Sequence, residues 1–171
     1  VGKNNVPAKW FIPPSIKFDK WLDFQSYFGD RQTFLYANTF VYSPKKQSVH
    51  VRVGTSGALK TFLNDVEIIR DSLETNNDFD TYIVETELQQ GWNRLLVKVG
   101  YSEIERCNFL ARITDQNGEP IQGLTSSNQP QSYSKITPAF IRSVPLFAKE
   151  FFKKKIEENP THIENYLMLA D

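Results

Sequence analysis

One cysteine in 171 residues excludes an internal disulfide, so the core must hold the fold unaided. That cysteine, Cys107, alternates with Phe109, Ala111 and Ile113 on the apolar face of a predicted strand, which makes it a small buried hydrophobe rather than a nucleophile. Histidine is scarce too. His50 and His162 fall in unrelated predicted elements, and neither has a second metal ligand at close spacing, so a zinc site has no sequence support. An excess of one charge is also missing. Twenty basic residues balance twenty acidic ones, which leaves no electrostatic footprint for nucleic acid or an anionic membrane. No apolar run approaches the ~18 residues of a membrane-spanning helix, and no secretory leader pattern stands at the start. The chain opens at Val1-Gly2-Lys3 without a methionine and is expected to be part of a larger protein. The one basic run, Lys153-Lys154-Lys155, lies beside Glu157 and Glu158 in a predicted helix and reads as a solvated face.

What the chain does have is apolar and aromatic content, 40% and 13%, enough for a globular core and too much for disorder. Residues 1–33 are irregular but hold Trp10, Trp21, Phe11, Phe24 and Tyr27, and are expected to pack on the main domain, since that much ring surface is not left in water. Phe34 to Tyr42 is apolar on both faces, which predicts a strand covered on both sides. Val49, Val51 and Val53 alternate with His50 and Arg52, a half-buried strand. Asn64-Asp65 between Phe62-Leu63 and Val66 is a hairpin signal, because both residues tolerate the positive φ of a type I′ turn. Strands follow at 81–88, at Leu95, Val97 and Val99, and at 107–114, and Trp92 is expected to cap the core where its strand begins. Residues 122–135 are rich in Gln, Ser and Asn and read as loop or linker. From Pro145 the period becomes helical, Asn159-Pro160 stops the first helix, and Thr161 with Glu164 forms a capping box for a second.

Two resemblances follow. Val51-Arg52-Val53-Gly54, Leu59-Lys60-Thr61-Phe62-Leu63-Asn64-Asp65 and Gly91-Trp92-Asn93-Arg94-Leu95-Leu96-Val97-Lys98-Val99 resemble the galactose-binding-like jelly roll, in particular the sugar-binding accessory domain of β-galactosidase-type glycoside hydrolases. Asp65 stands where that family usually has Gly. Phe151-Phe152, Ile156 to Pro160 and Glu164 to Ala170 resemble the junction of two tetratricopeptide repeats. Together they imply a mainly β protein: an antiparallel jelly-roll β-sandwich over 34–135, with a linker and a truncated repeat forming a helical hairpin over 136–171. The combination resembles bacterial extracytoplasmic proteins, from which compartment alone is inferred.

For function, the sequence offers no catalytic constellation. Glycosidases need two carboxylates about 5–9.5 Å apart on rigid elements, whereas Asp71, Glu74, Asp78 and Asp80 crowd one loop. That loop reads as solvated or, through Asp71, Asp78 and Asp80, as a calcium site; its spacing does not match an EF-hand. No other cofactor is expected. Two binding readings stand. One is a non-catalytic structural or protein-interaction module that meets a protein partner through its helices. The other is a carbohydrate-binding module that takes an oligosaccharide through Trp10, Trp21, Tyr101 or Tyr133, with Asn76, Asn77 and Arg106 as polar partners.

Overall fold

The structure, a computed structural model, describes residues 9–13, 21–28, 32–104 and 106–170. In chain order it contains β1 (Leu22–Asp23), α1 (Gln25–Phe28), β2 (Thr33–Ser43), β3 (Gln47–Ser56), β4 (Ala58–Leu63), β5 (Val66–Asp71), β6 (Tyr82–Leu88), β7 (Gly91–Tyr101), β8 (Asn108–Thr114), β9 (Thr125–Ser127), β10 (Arg142–Ser143), α2 (Phe147–Glu158) and α3 (Ile163–Ala170). The strands form two antiparallel five-stranded sheets, in the orders β1-β8-β3-β6-β10 and β5-β4-β7-β2-β9. Among the described residues, only the β4–β5 hairpin stays within one sheet; every other step between consecutive strands crosses to the opposite sheet. This is a two-sheet sandwich compatible with a jelly roll, followed by two short helices. No helix among the described residues is long and apolar enough to cross a membrane.

The core forms where the period-two faces meet. Val49, Val51 and Val53 of β3 face Leu59 and Leu63 of β4 and Val97 and Val99 of β7, nearly all fully buried. Asn64 and Asp65 both take positive φ, 50° and 69°, as the predicted two-residue turn requires. Phe24, just after β1, is buried in the same core and its N–H donates to the Cys107 carbonyl. Burial of Cys107, with Asp23 and Glu74 nearby, pushes its thiol up to about 12, consistent with an inert core residue.

Four expectations are corrected. β2 is not covered on both sides. Leu35 and Val41 enter the core, but Phe34 and Tyr36 are 65% and 49% exposed, with the Lys98 ammonium 4.3 Å above the Phe34 ring. A lysine stem and head partly cover such rings without a second layer of fold. Trp92 does not cap the core; it lies on the outer face of its sheet, edge-on to Tyr42 at 5.4 Å. Thr161 does not cap α3. The His162 N–H bonds to the Asn159 carbonyl, which holds Thr161 inside a turn, and its hydroxyl donates to Asn159 Oδ1 instead. The run 122–135, read as linker, contributes β9, which pairs with Phe40 to Tyr42 of β2. β10 then closes the far edge by pairing with Glu85 and Val84 of β6.

Candidate functional site: a cleft at the open side of the sandwich

The two phrases Asn64-Asp65 and Gly91-Trp92-Asn93-Arg94 form one physical unit. Asn64 Nδ2 donates to Asn93 Oδ1 at 2.8 Å, and the Arg94 N–H donates to Asn64 Oδ1 at 2.8 Å. Asn93 Oδ1 also accepts the Gln89 N–H, while its amide group donates to the carbonyls of Gln89 and Gly91. Both asparagines are almost fully buried, and each polar atom of the pair named here is matched, as a buried polar network must be.

This clamp aims Arg94 outward with a fixed geometry. Its Nε donates to Asn38 Oδ1 at 2.7 Å and its Nη1 to Asp65 Oδ1 at 2.9 Å. The Tyr133 hydroxyl donates to the same carboxylate at 2.9 Å. Burial works to raise the Asp65 carboxyl, but the Tyr133 hydrogen bond and the guanidinium of Arg94, with Lys135 beyond, outweigh it and hold the group below the usual carboxylate range.

Beside this cluster lies a cleft of about 820 Å3, opening between the sheets where β2 and β8 flank the sandwich. Its core-facing lining is Leu22, Ala37, Leu95, Val97, Phe109 and Ala111, with the hydroxyl-bearing Thr39 opposite Leu95. Its mouth is mixed, with Asn38, Arg94, Gln129, Gln131 and Tyr133 on one side and Trp10 to Pro13 on the other. Trp10 is 66% exposed there. A smaller cleft of about 340 Å3 continues along the same side, between Thr39 and Val41 of β2 and Ala111 and Ile113 of β8.

The residues proposed from sequence do not converge on one site. Trp10 and Tyr133 share the cleft. Trp21 lies elsewhere, against Phe79 at 5.4 Å and over Gly54, where a Cβ would stand 2.4 Å from the Asp78 carbonyl. Glycine is required there because loop and ring press on the strand. Tyr101 is buried in the core. Asn76 bridges to Ser56, and Asn77 donates to the hydroxyls of Tyr82 and Thr75, so both serve to fold the loop. Arg106 is exposed.

The carboxylates are taken up separately. Asp71 accepts the Tyr82 hydroxyl at 2.6 Å and the Leu73 N–H. Asp80 lies between Arg112, which donates through Nε and Nη2, and Arg52, and the Arg112 hydrogen bonds outweigh burial to lower its carboxyl. Glu74 accepts the N–H groups of Ser102 and Glu103 and the Ser102 hydroxyl. These bonds, the one from Glu103 foremost, hold its carboxyl at about 2. Asp78 is an exposed residue whose carbonyl accepts the Thr81 hydroxyl. Among the described residues no group of three or more His, Cys, Asp and Glu is placed to hold a metal ion.

Sequence reasoning missed Asn38, Arg94, Gln129 and Gln131. A polar Asn38 in an otherwise aromatic alternation was the available signal. Arg94 was hidden inside a phrase read as structural, and the two glutamines inside a run read as linker.

Compared with protein-family models, with curated proteins and with solved structures, the chain gave no match in any of the three. The class that can be stated is therefore architectural: a mainly β two-sheet sandwich carrying a C-terminal helical pair.

Proposed function

We propose that this chain is a non-catalytic protein-interaction module. The observation that carries the reading is the cleft, whose core-facing lining is Leu22, Ala37, Leu95, Val97, Phe109 and Ala111, with the Thr39 hydroxyl among them already bonded to the Ser127 carbonyl. Sugar hydroxyls need convergent donors and acceptors where they are buried, whereas apolar peptide side chains need what Ala37, Leu95, Val97 and Ala111 offer. The helical pair supports the same reading. Ile163, Tyr166 and Leu167 of α3 are exposed at i, i+3 and i+4, an apolar stripe of the kind a partner helix covers. The resemblances to a galactose-binding-like jelly roll and to tetratricopeptide repeats support a parent of the extracytoplasmic bacterial kind, and rest on the motif residues alone.

A second reading has its own support. Trp10 and Tyr133 at the lip, with Asn38, Gln129 and Gln131 beside them, are the residue types that hold a glycan by ring stacking and hydrogen bonds. Titration separates the two. The chain is titrated with an unbiased display library of short peptides and, in parallel, with a panel of neutral and acidic oligosaccharides, following tryptophan emission against a Trp10→Phe control. A saturable change with peptides that is lost in the control supports the interaction module. A response to one glycan class alone overturns it in favour of carbohydrate binding.

A further inference from the structure

We infer that the open edge of β2 is a strand-addition site, which takes an extended, uncharged peptide segment as a new strand of the sandwich. The inference rests on the interaction reading above and deepens it.

β2 is eleven residues long, and along its whole length it pairs with β7 on one side. On its other side β9 pairs with Phe40, Val41 and Tyr42 only. From Thr33 to Thr39, among the described residues, no backbone hydrogen bond reaches that edge. Alternate N–H and C=O groups of a strand point to each side, so half the backbone groups of this stretch have no ladder partner. β9 begins the missing row and then leaves it. Its end is turned away by the Ser127 hydroxyl, which accepts the Gln129 N–H, and Pro130 lacks the N–H that a continuing strand would need. The chain then crosses the outer face, where the Ser134 N–H reaches the Trp92 carbonyl.

Space and polarity match a strand in that row. The residues flanking the gap on its inner side are small, Ala37 on β2 and Ala111 on β8. Alternate side chains of an added strand would enter the cleft between them and meet Leu95 and Val97. Among the described residues, the single charged one lining the cleft, Arg94, is already held by Asp65 and Asn38, so the inward positions of the occupant are apolar and uncharged. The intervening positions would stand beside Phe34 and Tyr36 on the outer face, where aromatic and β-branched cross-strand pairs are favourable. Main-chain bonds then give affinity and the cleft gives specificity, the division of labour in strand addition.

The test uses the whole chain. The probe is a display library of peptides about six residues long, with Val, Ile, Leu or Phe at alternate positions, set against a library of the same composition without the alternation. The expected result is enrichment from the first library alone. In an enriched peptide, N-methylation should weaken binding about tenfold or more at every second residue and little between them. Hydrogen exchange should show new protection at alternate amides of Thr33 to Thr39. Binding without the period-two methylation pattern, and without protection at β2, overturns strand addition while leaving the interaction module standing. No peptide enrichment together with a saturable glycan response overturns both. Concentration-dependent dimerisation that blocks the peptide overturns the peptide occupant in favour of a second copy of the chain.

Discussion

The two long sides of this sandwich are finished differently. On one side β6 is closed by β10, the Val144 N–H bonds to the Ile83 carbonyl, and the Thr86 hydroxyl bonds to the Phe140 carbonyl. On the other, among the described residues, β8 meets the two-residue β1 at Phe109 and Asn108 with the Phe24 N–H bonded to the Cys107 carbonyl, and the eleven-residue β2 meets the three-residue β9 at Phe40 to Tyr42 alone. Natural sandwiches cover, charge or shorten such edges because unpaired strands invite pairing. Here a long edge lies beside a cleft whose core-facing lining is mostly aliphatic and whose Arg94 is already held by Asp65 and Asn38, so the difference teaches where a partner would gain most.

The largest effect that would sharpen this contrast is a core deletion on each side. Leu88→Ala, in the fully buried end of β6, should cost about 3–4 kcal/mol in urea unfolding. Leu22→Ala, at the half-buried open side, should cost about 1 kcal/mol, since the cleft already exists and less is lost. Equal costs would break the comparison.

Next in size is the clamp that aims Arg94. Asn93→Ala strands the Asn64 amide and the Gln89 N–H in a buried setting and should cost about 2–3 kcal/mol, read from the same unfolding curves. A loss below about 0.5 kcal/mol would remove the network from the account.

The carboxylate of Glu74 gives a pH signature. Its folded value, about 2, lies below the ordinary 4.5. Its contribution is therefore fully present above 4.5 and fades as pH falls toward 2, because the unfolded chain takes up the proton first. Melting temperature should fall across that window in the native chain and fall less steeply in Glu74→Gln. The group is largely in solvent, so the change is small. Parallel slopes would assign the acid loss to other groups.

Smallest is Tyr133→Phe. It removes one hydrogen bond from Asp65 at the cleft mouth, should change stability by less than about 1 kcal/mol, and should let the Asp65 titration move upward in an NMR pH series.

Most of the sandwich was readable because its signals are local. Val49, Val51 and Val53 alternate, and Asn64-Asp65 can only turn tightly, so strand and hairpin follow from the period and from φ. The site was hardly readable, because it is made by edges. Nothing in Thr125-Ser126-Ser127 announces a strand, and its pairing with β2 exists only because the sandwich brings β2 alongside. Asp80 read as a calcium ligand because it stands in a carboxylate-rich loop. Arg52 and Arg112, far from it in sequence but adjacent across the sheet, surround it instead. Trp21 and Tyr101 looked like ring platforms by type, and tertiary packing used both otherwise.

The most direct check on the central claim is native-state hydrogen exchange on the free chain, resolved to single amides of β2. The account predicts protection at Phe40 to Tyr42, and from Thr33 to Thr39 an alternation in which amides facing β7 are slow and those facing the cleft exchange freely. Uniform protection from Thr33 through Tyr42 would mean that the edge is already covered, and would contradict the account.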